Sequence, residues 1–254
     1  MNKIISVILG AWIFSLCLVS SSSAQNNLLS DMDGDGVVRV LAFGDSITYG
    51  IGDSGQLPKG YPSRLASILG VPVINAGNPG ERITSASSRF FAALQNSKAD
   101  LVLVMEGAND AVDQVGLGSV RDAYQRFING TKALNRQIAV LTLIPPCCDR
   151  EAQAQYTNGY SAEIKTLSDV NAVPLIDMKR AWDNTCQNKG ACELYNIPEG
   201  LHPNAKGYDA LAQTAAARIL GVDIFSSGGA SQLEQAAGLP AGSVIVQPDP
   251  APAG

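Results

Sequence analysis

The 254-residue chain carries 18 lysines and arginines against 23 acids, a net charge of −5, and 46% of its residues are hydrophobic. That balance, with no basic patch, argues against nucleic acid or an anionic membrane surface as a partner. The length accommodates one domain with a well-filled core.

Residues 1–24 read as a secretory signal peptide. Lys3 is followed by an apolar run from Ile4 to Val19 and by Ser22-Ser23-Ala24, a small-residue cleavage site. The run is short for a bilayer crossing, so no stable membrane span is expected after cleavage. Cys17 is a poor lipidation site because Leu16 stands where a small residue is needed. The expected location is secreted or periplasmic, with the charge one unit more negative once Lys3 is lost. Residues 25–36 form an acidic linker. In it Asp31-Met-Asp33-Gly-Asp35-Gly36 reproduces the start of a calcium loop, with oxygens at alternating positions and a glycine for the bend. The twelfth position, which needs a bidentate acid, falls on Ala42 inside an apolar run. A partial calcium site on Asp31, Asp33 and Asp35 is therefore the weaker reading, and a solvated linker without metal the preferred one.

From 37 to 222, short apolar runs alternate with helical patterns. The runs Val37–Phe43, Val71–Asn75, Leu101–Glu106, Ile138–Ile144 and Val173–Ile176 predict five strands. Val120, Ala123, Tyr124, Phe127, Ile128 and Leu134 share one face of a helix over Ser119–Arg136, with Ser119 as N-cap. A second helix, Asn204–Leu220, turns Leu211, Ala212, Ala215 and Ile219 inward. Continuous apolar strands separated by single helices predict an α/β fold, a three-layer α/β/α sandwich on a five-stranded parallel sheet, flavodoxin-like in outline. Residues 223–254, rich in Gly, Ser, Ala and Pro, read as a flexible tail.

Cys147, Cys148, Cys186 and Cys192 remain after signal removal, an even number that suggests disulfides in an exported protein. A local Cys186–Cys192 bridge is the first choice. The competing arrangement ties each member of the Cys147-Cys148 pair to the later loop. Metal binding by this set is disfavoured, since the doublet lacks ligand spacing.

In a parallel sheet, ligands bind beyond the carboxyl ends of the strands. Four segments meet at that rim: Gly44-Asp45-Ser46, Asn75-Ala-Gly77-Asn-Pro-Gly80, Gly107-Ala-Asn109-Asp110 and Glu199-Gly-Leu-His202-Pro203. A serine presented at a strand end needs a base, and His202 is the only imidazole in the chain. Singly, each segment could be turn or capping chemistry. Together, and in this order, they resemble the SGNH, or GDSL, hydrolase family of esterases and lipases from about Val37 to Leu220.

That resemblance implies Ser46 as nucleophile, His202 as general base and then acid, and an oxyanion hole made by the N–H groups of Ser46 and Gly77 and the side-chain amide of Asn109. Where the family has aspartate three residues before the histidine, this chain has Glu199. Glutamate serves as the third member of such triads elsewhere, so Glu199 is expected to support His202, a backbone carbonyl being the alternative. Asp45 and Asp110 are expected to brace their loops. No cofactor is implied. Tyr49, Tyr61, Pro145, Pro146, Tyr156, Tyr160 and Trp182 are candidates to line the cleft, and the polar Gly50–Gly60 stretch offers no lid. The expected substrate is a small-molecule, glycan or lipid ester with a short acyl or acetyl group. An O-acetyltransferase or thioesterase using the same residues, or a carbohydrate-binding surface protein, are the alternatives. Oligomeric state leaves no trace in the sequence.

Overall fold

The computed structural model describes residues 27–54, 59–186 and 192–251. The predicted signal peptide and residues 55–58 of the Gly50–Gly60 stretch lie outside them. In chain order the elements are β1 (Val40–Gly44), α1 (Ser46–Tyr49), α2 (Gly60–Leu69), β2 (Val73–Gly77), α3 (Ser87–Ser97), β3 (Leu101–Met105), α4 (Ala108–Val112) and α5 (Leu117–Ala133). There follow β4 (Gln137–Leu141), α6 (Ala154–Asn171), β5 (Leu175–Ile176), α7 (Met178–Thr185), α8 (Ala205–Leu220) and α9 (Gly229–Ala237).

The strands pair in parallel in the order β2-β1-β3-β4-β5. Every residue of β1 and β3 is buried, which is why both read as unbroken apolar runs rather than alternating ones. Two helix groups cover the sheet: α2, α7 and α9 gather around α8, while α3 and α6 pack on α5. Between α3 and α5, Phe90 stacks on Phe127 with ring centroids 3.9 Å apart, and Phe43 of β1 meets both rings edge-on. The five-stranded α/β/α sandwich is the one expected. Its order reverses between β1 and β3, so a crevice opens at their carboxyl ends.

Two boundaries differ from expectation. Helix α5 starts at Leu117 behind Gly116, so Ser119 lies in the first turn and does not cap it. Helix α8 is capped by Asn204, whose side chain accepts from the Gly207 N–H at 3.1 Å.

The tail is a larger correction. Residues 223–251 are packed, not loose. Helix α9 lies on α8, and Ile224, Leu233, Val244 and Val246 are buried. The Gln213 side chain bonds Ser243 O and Ile245 N, Gln247 N donates to Thr185 Oγ1, and Asp249 pairs with Arg180. Four well-spaced aliphatic residues are enough to dock a segment whose average composition is that of a linker. The acidic linker is likewise anchored. Leu28 N donates to Ile219 O at 2.9 Å and Met32 N to Asp100 Oδ1 at 2.8 Å, with Leu28 buried.

Ending the chain at Val222 should therefore expose the α8 face. The loss of four buried aliphatic side chains, offset by the released tail entropy, is worth about 3–5 kcal/mol, or roughly 10 °C in thermal midpoint. An unchanged midpoint by circular dichroism would return the segment to the status of a linker.

Candidate active site

At the end of β1 the chain turns through Asp45, which caps the one-turn helix α1 by accepting from Ile47 N at 2.9 Å. Ser46 opens that helix and is 6% exposed. Far along the chain, His202 sits in a turn to which the Asn196 side chain bonds. Its amide donates to Gly52 O, His202 O and Pro203 O at 3.0, 3.2 and 2.9 Å, and Asn196 N donates to His202 O at 3.0 Å. Asn196 thus ties the histidine turn to the loop that follows Ser46. Sequence reading missed it, because an asparagine six residues before a histidine carries no signal of its own.

The Ser46 Oγ and His202 Nε2 are 2.8 Å apart. His202 Nδ1 lies 2.7 Å from Glu199 Oε1, and His202 N donates to Glu199 Oε2 at 3.0 Å. Both carboxylate oxygens of Glu199 face the histidine, so the extra methylene relative to aspartate is absorbed within the turn. With an acceptor at Nδ1, the imidazole carries its hydrogen there and leaves the Nε2 lone pair for the serine hydroxyl.

Asn109, at the start of α4, is held by its Nδ2 donating to Glu81 O at 2.7 Å, and it lines the same cleft as Ser46 and His202. Gly77 does not reach that cleft. Its N–H donates to Asn75 Oδ1 at 2.9 Å, and a Cβ on it would lie 2.1 Å from Tyr49 N. Gly77 is glycine because β2 packs against α1, and the assignment of its N–H to the oxyanion hole is corrected. The glycine that lines the cleft is Gly80. It stands after Pro79 in a turn closed by Glu81 N to Asn78 O at 3.2 Å, with φ of 81°. Pro-Gly at such a corner is the type II turn signal, and it was present in the sequence. The Gly80 N–H has no partner among the described residues.

The model of the GDSL-like lipase/acylhydrolase family matches residues 42–210, about two thirds of the chain. The chain belongs to that family. As a GDSL-like hydrolase it is an ester hydrolase. Among solved structures, an acetylxylan esterase from Geobacillus stearothermophilus is 20% identical with a TM-score of 0.63, over 72% of this chain and 94% of that one. A lipolytic protein of the G-D-S-L family from Desulfitobacterium hafniense is 18% identical with a TM-score of 0.62, over 71% and 99%. A hydrolase from the metagenome of Lake Arreo is 21% identical with a TM-score of 0.61, over 72% and 94%. At these identities the likeness concerns the fold. No curated protein matches the chain significantly.

In this GDSL-like hydrolase, ties between loops fix the rim. Arg89 of α3 donates to Ala76 O at 2.7 Å and Gly44 O at 3.2 Å, pairs with Glu81, and covers the Phe43 ring. The same Glu81 offers its carbonyl to Asn109, so one guanidinium braces the ends of β1 and β2 and, through Glu81, Asn109. Asp45 Oδ2 accepts from Ala108 N at 3.4 Å, and Asp110 accepts from Ile83 N, Thr84 N and Thr84 Oγ1. Both aspartates brace loops, as expected. Burial pushes the Asp45 carboxyl up to about 6 against the backbone donors of Ile47, Ala108 and Gly107.

Behind the rim, burial, and secondarily the charges of Asp45 and Glu81, push Glu106 up to about 10. Neither of its carboxyl oxygens has a hydrogen bond among the described residues, and Arg89 at 3.9 Å is too far to offset desolvation. Glu106 is therefore a neutral acid at neutral pH, which removes a negative charge from beneath the site.

The cleft, about 390 Å³, has an apolar wall of Ile51, Pro79, Val112 and Leu201, with Arg150 at its rim. The expected aromatic lining is corrected. Tyr61 and Tyr160 are core residues, and Pro145, Pro146 and Trp182 line another cavity of about 210 Å³. Cleft lining depends on tertiary placement, and residue type does not announce it. Cys186 and Cys192 form the local disulfide expected, with Cα atoms 5.4 Å apart; residues 187–191 between them lie outside the described ones.

The acidic loop is partly paired within the protein. Asp31 accepts from Gly34 N and Gly36 N, Asp33 pairs with Arg136, and Asp35 pairs with Arg39. The carboxylates that converge are Asp31, Asp33 and Asp100, with Asp35 turned away to Arg39. The spacing of the sequence motif is thus not the spacing of the cluster, and Arg136 pairs with two of its three members, Asp33 and Asp100.

Proposed function

We propose that the chain is a serine esterase that hydrolyses short-chain acyl or acetyl esters through an acyl-enzyme on Ser46. The observation that carries this reading is the 2.8 Å approach of Ser46 Oγ to His202 Nε2, with Glu199 on the other ring nitrogen. The Ser46 hydroxyl passes its proton to Nε2 while Oγ attacks the ester carbonyl. The developing oxyanion is met by the N–H groups of Ser46 and Gly80 and the free N–H of the Asn109 amide. Collapse breaks the bond to the alcohol oxygen, which leaves with the proton from His202. Water then attacks the acyl group, returns a proton through His202, and releases the carboxylic acid and Ser46. The short apolar wall supports a small acyl group, and no cofactor enters any step. Among the described residues no helix is long and apolar enough to cross a membrane, which is compatible with export led by residues 1–24.

A panel of p-nitrophenyl esters from acetyl to decanoyl tests the reading. Specificity constants should peak at four carbons or fewer and fall beyond, with free acid as the product even when a polyol acceptor is present. Transfer of the acyl group to the polyol as the main product would assign the same residues to an acyltransferase.

A further inference from the structure

Arg150 is the one feature of the cleft that ester hydrolysis by Ser46 does not use. It lines the cleft together with Ser46, Asn109 and His202 and with the apolar Ile51, Pro79, Val112 and Leu201. The other charged group there, Glu199, is spent on His202. Among the described residues the Arg150 side chain has no hydrogen bond and no ion pair, and its neighbours Asp149 and Glu151 do not neutralise it. Elsewhere on this acidic chain most arginines are paired: Arg39, Arg64, Arg82, Arg89, Arg121, Arg136 and Arg180 each hold a carboxylate.

The backbone that carries Arg150 is also fixed relative to the histidine. Cys147 N donates to Gly200 O at 2.9 Å and Asp149 N to Pro198 O at 3.2 Å, so the turn after β4 is stapled to the turn that bears Glu199 and His202. A Cβ on Gly200 would lie 2.2 Å from Cys147 O, so the two turns are in close contact. The backbone at Arg150 is thus fixed near the histidine turn, and its side chain lines the cleft with its donors unspent.

We infer that Arg150 forms an anion subsite, and that the preferred substrates are esters carrying a carboxylate close to the scissile bond. This inference rests on the Ser46 reading and names its substrate class. A planar guanidinium takes a carboxylate through two parallel hydrogen bonds, and the apolar lining takes the uncharged part of the molecule. The net negative charge of the chain disfavours anionic esters at long range, so selection depends on this local cation.

Two matched pairs test the inference and tell which side of the ester bears the anion. On the acyl side, the p-nitrophenyl hemiester of glutaric acid is compared with p-nitrophenyl pentanoate. On the alcohol side, 4-acetoxybenzoate is compared with 4-acetoxybenzamide. The ratio of kcat/KM for the charged over the neutral member should exceed one in one pair. It should fall about 10- to 100-fold in Arg150→Ala, drop below one in Arg150→Glu, and be partly restored in Arg150→Lys. In the unsubstituted protein the same ratio should shrink as salt rises from about 0.05 to 0.5 M. Neutral members preferred in both pairs, or a ratio that Arg150→Ala and salt leave unmoved, would overturn the subsite. Failure of the Ser46 reading would look different: Ser46→Ala would turn over both members undiminished.

Discussion

Ser46→Ala is expected to lower kcat on a short acyl ester by about 10⁵–10⁶, with the fold intact. The oxygen removed is the one His202 Nε2 approaches at 2.8 Å, and no other hydroxyl is placed against that imidazole among the described residues. Ser46 is small, and its neighbours are held by Asp45 and by the Gly50 N–H to Ser46 O bond, which the methyl side chain leaves in place. Thermal midpoint should therefore stay within a few degrees. The residual rate would come from the oxyanion donors acting on a water. Full retention of turnover would place the nucleophile elsewhere.

The second large effect is expected at Glu199. In Glu199→Gln one carboxylate oxygen becomes an NH₂ group. The amide can satisfy His202 N or Nδ1 as an acceptor, but it carries no charge to stabilise the imidazolium formed at each proton transfer. Turned the other way, its NH₂ forces the hydrogen off Nδ1 and onto Nε2, the nitrogen that must accept from Ser46. A loss of about 10³–10⁴ in kcat with KM nearly unchanged is the expected result. The Glu199 side chain is 36% exposed, so solvent softens the charge contribution and favours the lower figure. A loss below about tenfold would mean that the imidazole is oriented by something other than this carboxylate.

What was legible in the sequence was what local chemistry dictates. The apolar runs of β1 and β3 predict strands, and a Gly-Asp-Ser break at the end of one predicts an exposed nucleophile. A sole histidine in a Glu-Gly-Leu-His turn predicts its base and the group behind it. The choice between Gly77 and Gly80 was not legible in the same way. Both are glycines in one loop, three residues apart, and the difference is that the Gly77 N–H is spent on Asn75 while Gly80 lines the cleft. The Pro79-Gly80 turn signal was the usable clue. The ties made by Asn196 and Arg89 join segments distant in sequence, and the Arg150 turn is placed by bonds to Pro198 and Gly200. The tail was misread because composition averages over Ile224, Leu233, Val244 and Val246, whose burial depends on a partner surface supplied by α8.

One measurement bears on the core of the account: mass spectrometry of the intact protein and its peptides after reaction with a p-nitrophenyl alkylphosphonate. A single adduct on the peptide carrying position 46, formed in step with loss of esterase activity and slowed by orders of magnitude in His202→Ala, is the result expected. Complete inactivation with the label on any other residue, or an enzyme that keeps its activity while position 46 is fully labelled, would contradict it.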